Sequence, residues 1–268
     1  MSRFNIQELS RFHICLIGTA FSSVVLYRVQ PTLILLPICL LAALILAGPF
    51  AQRLSFFLPI VTHGDRAQNR IVLSFDDGPD PQTTPRLLDL LSTFNVKATF
   101  FVIGQKAHQH PDLIKKIVTQ GHLIGNHSYS HDSFLMLRRA RILKAEIVKC
   151  QNELQSLGIK SLTFRPPVGI TNPKLGKILT ERGMICLGFS CRAADFGNRR
   201  VAGLAKKILK KLRKGDIVML HDRQPAADNT VESWLSEIET VLNGIQSKGL
   251  EVVPLSDLIE HPVMKSTN

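Results

Sequence analysis

The stretch IVLSFDDGP (71–79) decides how this chain is read. Ile71, Val72, Leu73, Ser74 and Phe75 form a short apolar run of the kind that becomes a buried strand. Asp76 and Asp77 follow directly, and Gly78-Pro79 turns the chain. Two carboxylates this close disfavour double ionisation unless a cation sits nearby. Asp-Gly-Pro is also ordinary turn chemistry. Alone, the stretch leaves a polar loop and a functional strand end both open.

Outward from it, short apolar runs alternate with helical patterns. Strands are expected at 71–75, 98–102, 122–124, 162–164, 184–189, 216–220 and 251–253. Helices are expected near 84–94, 111–120, 138–157, 173–182, 201–212 and 231–248. Thr84-Pro85 and Asn172-Pro173 carry start signals. Gly121, Gly158, Gly183 and Gly249 stand where helices should end. The alternation implies an α/β fold, a parallel sheet or barrel with helices outside. Sites in such folds form at the carboxyl ends of the strands.

Upstream, the chain is of another kind. Of 268 residues 45% are hydrophobic, but they crowd into 12–50, where charge is almost absent. Two runs, 12–29 and 32–50, each reach about 27–28 Å as helices, close to the roughly 30 Å hydrocarbon core. Tyr27, Arg28, Gln30 and Pro31 break them. A transmembrane helical hairpin is expected, its first helix weakened by Thr19, Ser22 and Ser23. A cleaved signal peptide fits two successive runs poorly, and a buried globular hairpin is the bland alternative. The stretch 54–61 is also apolar and is expected at the membrane interface. Arg3 and Arg11 precede the hairpin and Arg53, Arg66 and Arg70 follow it, with Arg28 alone between. The positive-inside rule then puts both termini, and the soluble part, on the cytoplasmic face. A single span would put the soluble part outside.

The net charge of +12 calls for an anionic partner. With no nucleic-acid motif, two tyrosines and one tryptophan, the membrane is the better match, and no nucleic acid is expected. Five cysteines without CxxC spacing make neither a disulfide framework nor a zinc-cysteine site. Free thiols point to a reducing compartment.

Further motifs follow the strands. His127-Ser128-Tyr129-Ser130-His131 spaces two imidazoles for one face of a helical turn, against a polar-turn alternative. Two imidazoles and one carboxylate with an open position make a catalytic divalent-metal pattern. Such a metal lowers the pKa of bound water to about 7, and the second carboxylate is free to take the proton. Arg165-Pro166-Pro167-Val168-Gly169 offers a guanidinium that can grip a carboxylate. Asp195-Phe196 is a loop acid read alone. The run 217–222 delivers His221, then Asp222, at a strand end where a general acid would be needed.

Taken in order, SFDDGP (74–79), HSYSH (127–131), RPPVG (165–169), ADF (194–196) and IVMLHD (217–222) resemble the polysaccharide deacetylase family, the NodB-homology domain. KATFFVIG (97–104) and GHLIGNH (121–127) resemble its framework segments. The resemblance covers about 70 to 260. It implies a distorted (β/α) barrel of fewer than eight strands. It implies a metal bound by Asp77, His127 and His131, with Zn2+ the default and Co2+, Mn2+ or Ni2+ as alternatives. Asp76 would be the base, Arg165 would orient it, and His221 would be the acid supported by Asp195. Val168, Phe196, Leu220 and Arg192 would line the substrate pocket, with a backbone N–H near Val168 at the oxyanion. The implied activity is removal of an N-acetyl or other N-acyl group from a sugar. An O-acyl esterase, an N-deformylase and an inactive sugar-binding protein are the alternatives. The implied organisation is an anchor at 1–62, a linker at 63–70, a catalytic domain at 71–262 and a tail at 263–268.

The family usually has an aromatic residue at Val168, often a Trp at Phe196, and an Asp where Arg192 aligns. These departures surround the substrate groove. A basic helix at 201–212, with Lys206, Lys207, Lys210 and Lys211, is either a solvated face or a patch for anionic lipid. Together with the hairpin it favours a lipid-linked N-acylated sugar as substrate. The sequence leaves the oligomeric state open.

Overall fold

A computed structural model of the chain describes residues 10–226 and 229–267. Its strands are β1 (Ile60–Val61), β2 (Arg70–Gly78), β3 (Thr99–Val102), β4 (Leu123–Asn126), β5 (Ile159–Ser161), β6 (Thr163–Phe164), β7 (Ile185–Leu187), β8 (Cys191–Arg192), β9 (Ile217–His221), β10 (Glu251–Val252) and β11 (Met264–Ser266). The main sheet runs β1-β7-β6-β4-β3-β2-β9-β8, every pairing parallel, with β10 beside β2. β5 and β11 form a separate antiparallel pair. Between β7 and β8 the chain bridges both edges. Gly188 N donates to the Val61 carbonyl and Ser190 N to that of Ile217, so the sheet curls toward a barrel.

Strand alternation sorts the core. On β2, Ile71, Leu73 and Phe75 face outward into the main cluster, against the helices Thr84–Thr93, Leu204–Lys211 and Val231–Ser247, where Trp234 is fully buried. Val72 points the other way, packing with Phe101, Leu187 and Ile217, and the segment 253–263 plugs that end. Ser74 and Asp76 share the inward face. At Asp77 the β2–β3 register shifts, and Asp77 takes φ 72°. Neighbours on a regular strand face opposite ways. The bulge lets both carboxylates enter one cleft.

The α/β core matches the expected alternation. Beyond it, the structure adds helices at Gly104–Gln109 and Leu255–Ile259 and the strands β1, β5, β8 and β11.

The N-terminal region differs from expectation. Helix α1 (Arg11–Val29) is long and apolar enough to cross a membrane. A 3-10 turn (Pro31–Ile34) leads directly into α2 (Leu35–Ala47), and the whole apolar run Pro31–Ala47 is shorter than α1. The hairpin of two spanning helices is therefore carried by one helix of spanning length, and by the first, expected as the weaker. The cytoplasmic assignment rested on two spans and on a charge count that includes Arg3, which lies outside the described residues; one helix of spanning length does not support it. The free thiols do not rescue it, because Cys150, Cys186 and Cys191 are buried and report on packing.

The stretch expected at the interface is largely core. Phe56, Phe57, Leu58 and Val61 are buried, and β1 pairs with β7. Phe12 N donates to the Phe56 carbonyl, and Cys15 and Leu44 pack on the same cluster. The start of α1 and the end of α2 thus meet the α/β body at one place.

Candidate active site

Asp76, Asp77, His127, His131, Arg165, Asp195 and His221 line one cleft of about 280 Å3 at the carboxyl ends of β2, β4, β6 and β9. Asp76 sits in register with His221 across the β2–β9 pair.

Asp77, His127 and His131 each offer one ligand atom, all within 4.8 Å of one another. Asp77 Oδ1 lies 3.5 Å from His127 Nε2 and 3.1 Å from His131 Nε2. It is nonetheless buried without a hydrogen-bond partner. His127 Nδ1 lies 2.7 Å from the Arg165 carbonyl oxygen, which can only accept. Nδ1 therefore carries the proton, and Nε2 turns a lone pair toward Asp77. An orphaned buried carboxylate oxygen facing two imidazole nitrogens fits a divalent cation. Burial pushes the Asp77 carboxyl up, whereas imidazolium forms of His127 and His131 would outweigh it and hold the group well below the usual range.

The two histidines do not share a helical turn. Residues 127–131 form a loop in which Ser128 and His131 take positive φ, 66° and 55°. That backbone brings the rings to 5.0 Å between centroids. Asn126 Oδ1 accepts from Ser128 N, and Glu146 Oε2 accepts from Tyr129 N, Ser130 N and the Ser130 hydroxyl.

Arg165 is almost fully buried. Its Nη1 donates to Asp76 Oδ1 at 2.7 Å and to the Ser74 hydroxyl at 2.8 Å, and Nη2 donates to the Gly188 carbonyl. Its guanidinium lies 3.9 Å from the centroid of the Phe101 ring. Asp76 is thereby fixed with Oδ2 4.0 Å from His127 Nε2. Across the cleft, His221 Nδ1 meets Asp195 Oδ2 at 2.7 Å. Burial pulls the His221 pKa down, but that bond and the charges of Asp195, Asp77 and Asp76 raise it overall. Burial works upward on Asp195, and the His221 contact lowers it overall.

Val168, Phe196 and Arg192 line the cleft, with Val168 and Phe196 exposed at positive φ. Leu220 does not. His221 faces the cleft, so its strand neighbour Leu220 faces the helices, and Met219 lines the cleft instead.

The supporting roles of three residues were not read from the sequence. Arg223 Nη1 lies 3.4 Å from Asp77 Oδ2; its place two residues beyond His221 was the available clue. Lys106 Nζ donates to the Asp77 carbonyl at 2.7 Å. Asp222 is buried and accepts from the hydroxyls of Thr83 and Thr84 at 2.7 and 2.6 Å, fastening the turn after β2.

Fold and site together define an α/β protein whose cleft gathers Asp77, His127 and His131, which could hold a metal ion, beside an arginine-held carboxylate and a histidine–aspartate pair. The chain belongs to the polysaccharide deacetylase family, whose model matches residues 63–186. It is 32% identical over 193 residues to a peptidoglycan-N-acetylglucosamine deacetylase of Bacillus cereus, covering 71% of this chain and 88% of that one. It is 32% identical over 194 residues to a peptidoglycan-N-acetylglucosamine deacetylase of Listeria monocytogenes, covering 72% of this chain. There it spans only 39% of the relative's length. A solved peptidoglycan N-acetylglucosamine deacetylase superposes with a TM-score of 0.69 at 28% identity, covering 75% of this chain and 93% of that one.

Proposed function

We propose that this protein is a metal-dependent hydrolase that removes the N-acetyl group from N-acetylglucosamine in a glycan. One observation carries the reading. A carboxylate gripped by a buried arginine stands beside the metal-ligand trio, with a histidine–aspartate pair across the same cleft.

Asp77, His127 and His131 would hold the cation, Zn2+ first, with Co2+, Mn2+ or Ni2+ as replacements. When bound, it would supply Lewis acidity for the amide carbonyl and a water pKa near 7. Asp76 accepts the proton of the attacking water. Arg165 holds one Asp76 oxygen so that the other faces that water. His221, protonated, gives its proton to the departing amine nitrogen, and Asp195 orients and stabilises the imidazolium. The Val168 N–H faces the developing oxyanion. Val168 and Phe196 wall the acyl group. Water and amide become acetate and free amine.

The division that accompanies this reading is an apolar N-terminal anchor of about 50 residues, embedded in a membrane through α1, followed by the catalytic domain.

The test is acetate release by detergent-purified full-length protein from N-acetylglucosamine tetramers and peptidoglycan fragments. Release should stop with chelator and return with Zn2+. Asp76→Asn should lower kcat by about 10²-fold or more while metal content holds. No release by metal-loaded wild type from either substrate would sink the proposal.

A further inference from the structure

A second cavity of about 530 Å3 opens beside the catalytic cleft. The two share Val168, Gly169, Phe189 and Arg192, so groups occupying them would be neighbours. The outer wall is the turn leaving α2, from Phe50 to Arg53. Buried Gln52 staples that turn to the site loops. Its Nε2 donates to the Gly169 carbonyl at 2.8 Å, and its Oε1 accepts from Phe189 N at 3.4 Å.

Three cations from three separate segments line this cavity: Arg53, Arg192 and Lys211. Among the described residues no carboxylate lines it, and none of the three cations makes an ion pair. Arg53 donates only to the Ser190 carbonyl, and the Arg192 guanidinium lies 5.3 Å from the Phe189 ring centroid. Three like charges around one concave space repel one another. An anion relieves that repulsion.

A neutral sugar polymer brings no charge to this place. A phosphate or diphosphate ester does, and suits arginine forks. Phe50, 70% exposed, stands on the rim at the end of α2, and Leu36, Leu40 and Leu46 are also exposed along that helix. An apolar chain attached to the phosphate therefore meets an apolar surface on leaving the cavity.

We infer that this cavity is an anion subsite for the phosphate or diphosphate that joins an N-acetylated sugar to a membrane lipid. The sugar occupies the catalytic cleft, the anion sits among Arg53, Arg192 and Lys211, and the lipid follows α2 into the bilayer. The inference rests on the deacetylase reading and narrows its substrate. A nucleotide-diphosphate sugar brings the same anion without the lipid, so the test includes both.

Full-length protein in zwitterionic nanodiscs is assayed on polyprenyl-diphosphate N-acetylglucosamine, UDP-N-acetylglucosamine and the neutral tetramer. Wild type should prefer the lipid-linked sugar over the nucleotide sugar by about tenfold or more. In Arg53→Glu/Lys211→Glu, the ratio of kcat/KM for lipid-linked sugar to that for tetramer should fall about tenfold or more. Added salt should lower the same ratio in wild type. Binding of the lipid-linked sugar to Asp76→Asn, titrated without turnover, should weaken by a similar factor when the two charges are reversed. An unchanged ratio with unchanged binding overturns the subsite, while acetate release from the tetramer leaves the hydrolase standing. Equal use of the nucleotide and lipid-linked sugars overturns the lipid assignment. Charge-dependent binding with no acetate from any substrate supports the subsite and sinks the hydrolase.

Discussion

His221 and Asp195 each shift the other toward its charged form, and both activity and stability should record it. The raised pKa of His221 keeps the imidazole protonated to higher pH than its ordinary 6.5. Activity that needs its proton should fall as pH rises through that raised value. Asp195→Asn should move the fall to lower pH, and His221→Ala should lower kcat by about 10²–10⁴-fold. Stability has two edges. A raised histidine contributes fully below its unfolded value and loses its contribution as pH rises through the folded one. The lowered carboxyl of Asp195 contributes above its unfolded value near 3.8 and loses its contribution as pH falls through the folded one. The destabilisation by Asp195→Asn should therefore be largest between about 4 and 6.5 and shrink on both sides. Thermal melts across pH check this; a loss independent of pH would mean the pair is not charged.

Two buried side chains tie elements together, each with its own signature. Asp222 joins the end of β9 to the start of the helix Thr84–Thr93 through Thr83 and Thr84. Burial pushes its carboxyl up to about 6 although both hydroxyls donate to it. A carboxyl raised on folding works against the folded state as it ionises, so it takes stability away as pH climbs from about 4 to about 6. Asp222→Asn should flatten that slope in melts. Gln52 ties the turn after α2 to Gly169 and Phe189. Gln52→Ala removes the part-buried hydrogen bond to the Gly169 carbonyl at a cost of about 0.5–1.5 kcal/mol. That is a fall in Tm of roughly 2–4 °C for each kcal/mol in a domain this size. An unchanged Tm would mean the staple is slack. Neither tie was legible in the sequence, because each depends on a partner far along the chain. Strand ends were legible, since apolar runs stop abruptly at Asp76 and His221. The imidazole spacing was read correctly as a pair and wrongly as a helix, because the left-handed turns at Ser128 and His131 leave no pattern in residue type. Leu220 was misplaced for a simpler reason. Which face of β9 meets the cleft is fixed by His221, and alternation then gives the place to Met219.

The whole molecule has two kinds of surface. Around the α/β body, apolar side chains are mostly inside. Along α1, Ile14, Ile17, Phe21, Val24 and Val29 stand out with 58–75% of their area exposed. Water would not stabilise such a surface, and among the described residues no protein element covers it. The proposed anchor gives it an apolar solvent. An aspartate in place of an exposed residue would cost little if α1 lay in water. At the centre of a membrane helix each costs about 2.5–3.5 kcal/mol. Phe21→Asp/Val24→Asp should therefore shift the protein from the membrane fraction to the supernatant. The α/β body should keep its melting behaviour, because Phe21 and Val24 lie beyond the part of α1 that packs against it through Phe12 and Cys15. Wild type recovered in the supernatant, or a double variant that stays in membranes as firmly as wild type, would remove the bilayer from the account. The lipid-linked substrate would then lose the surface that brings it to the cleft.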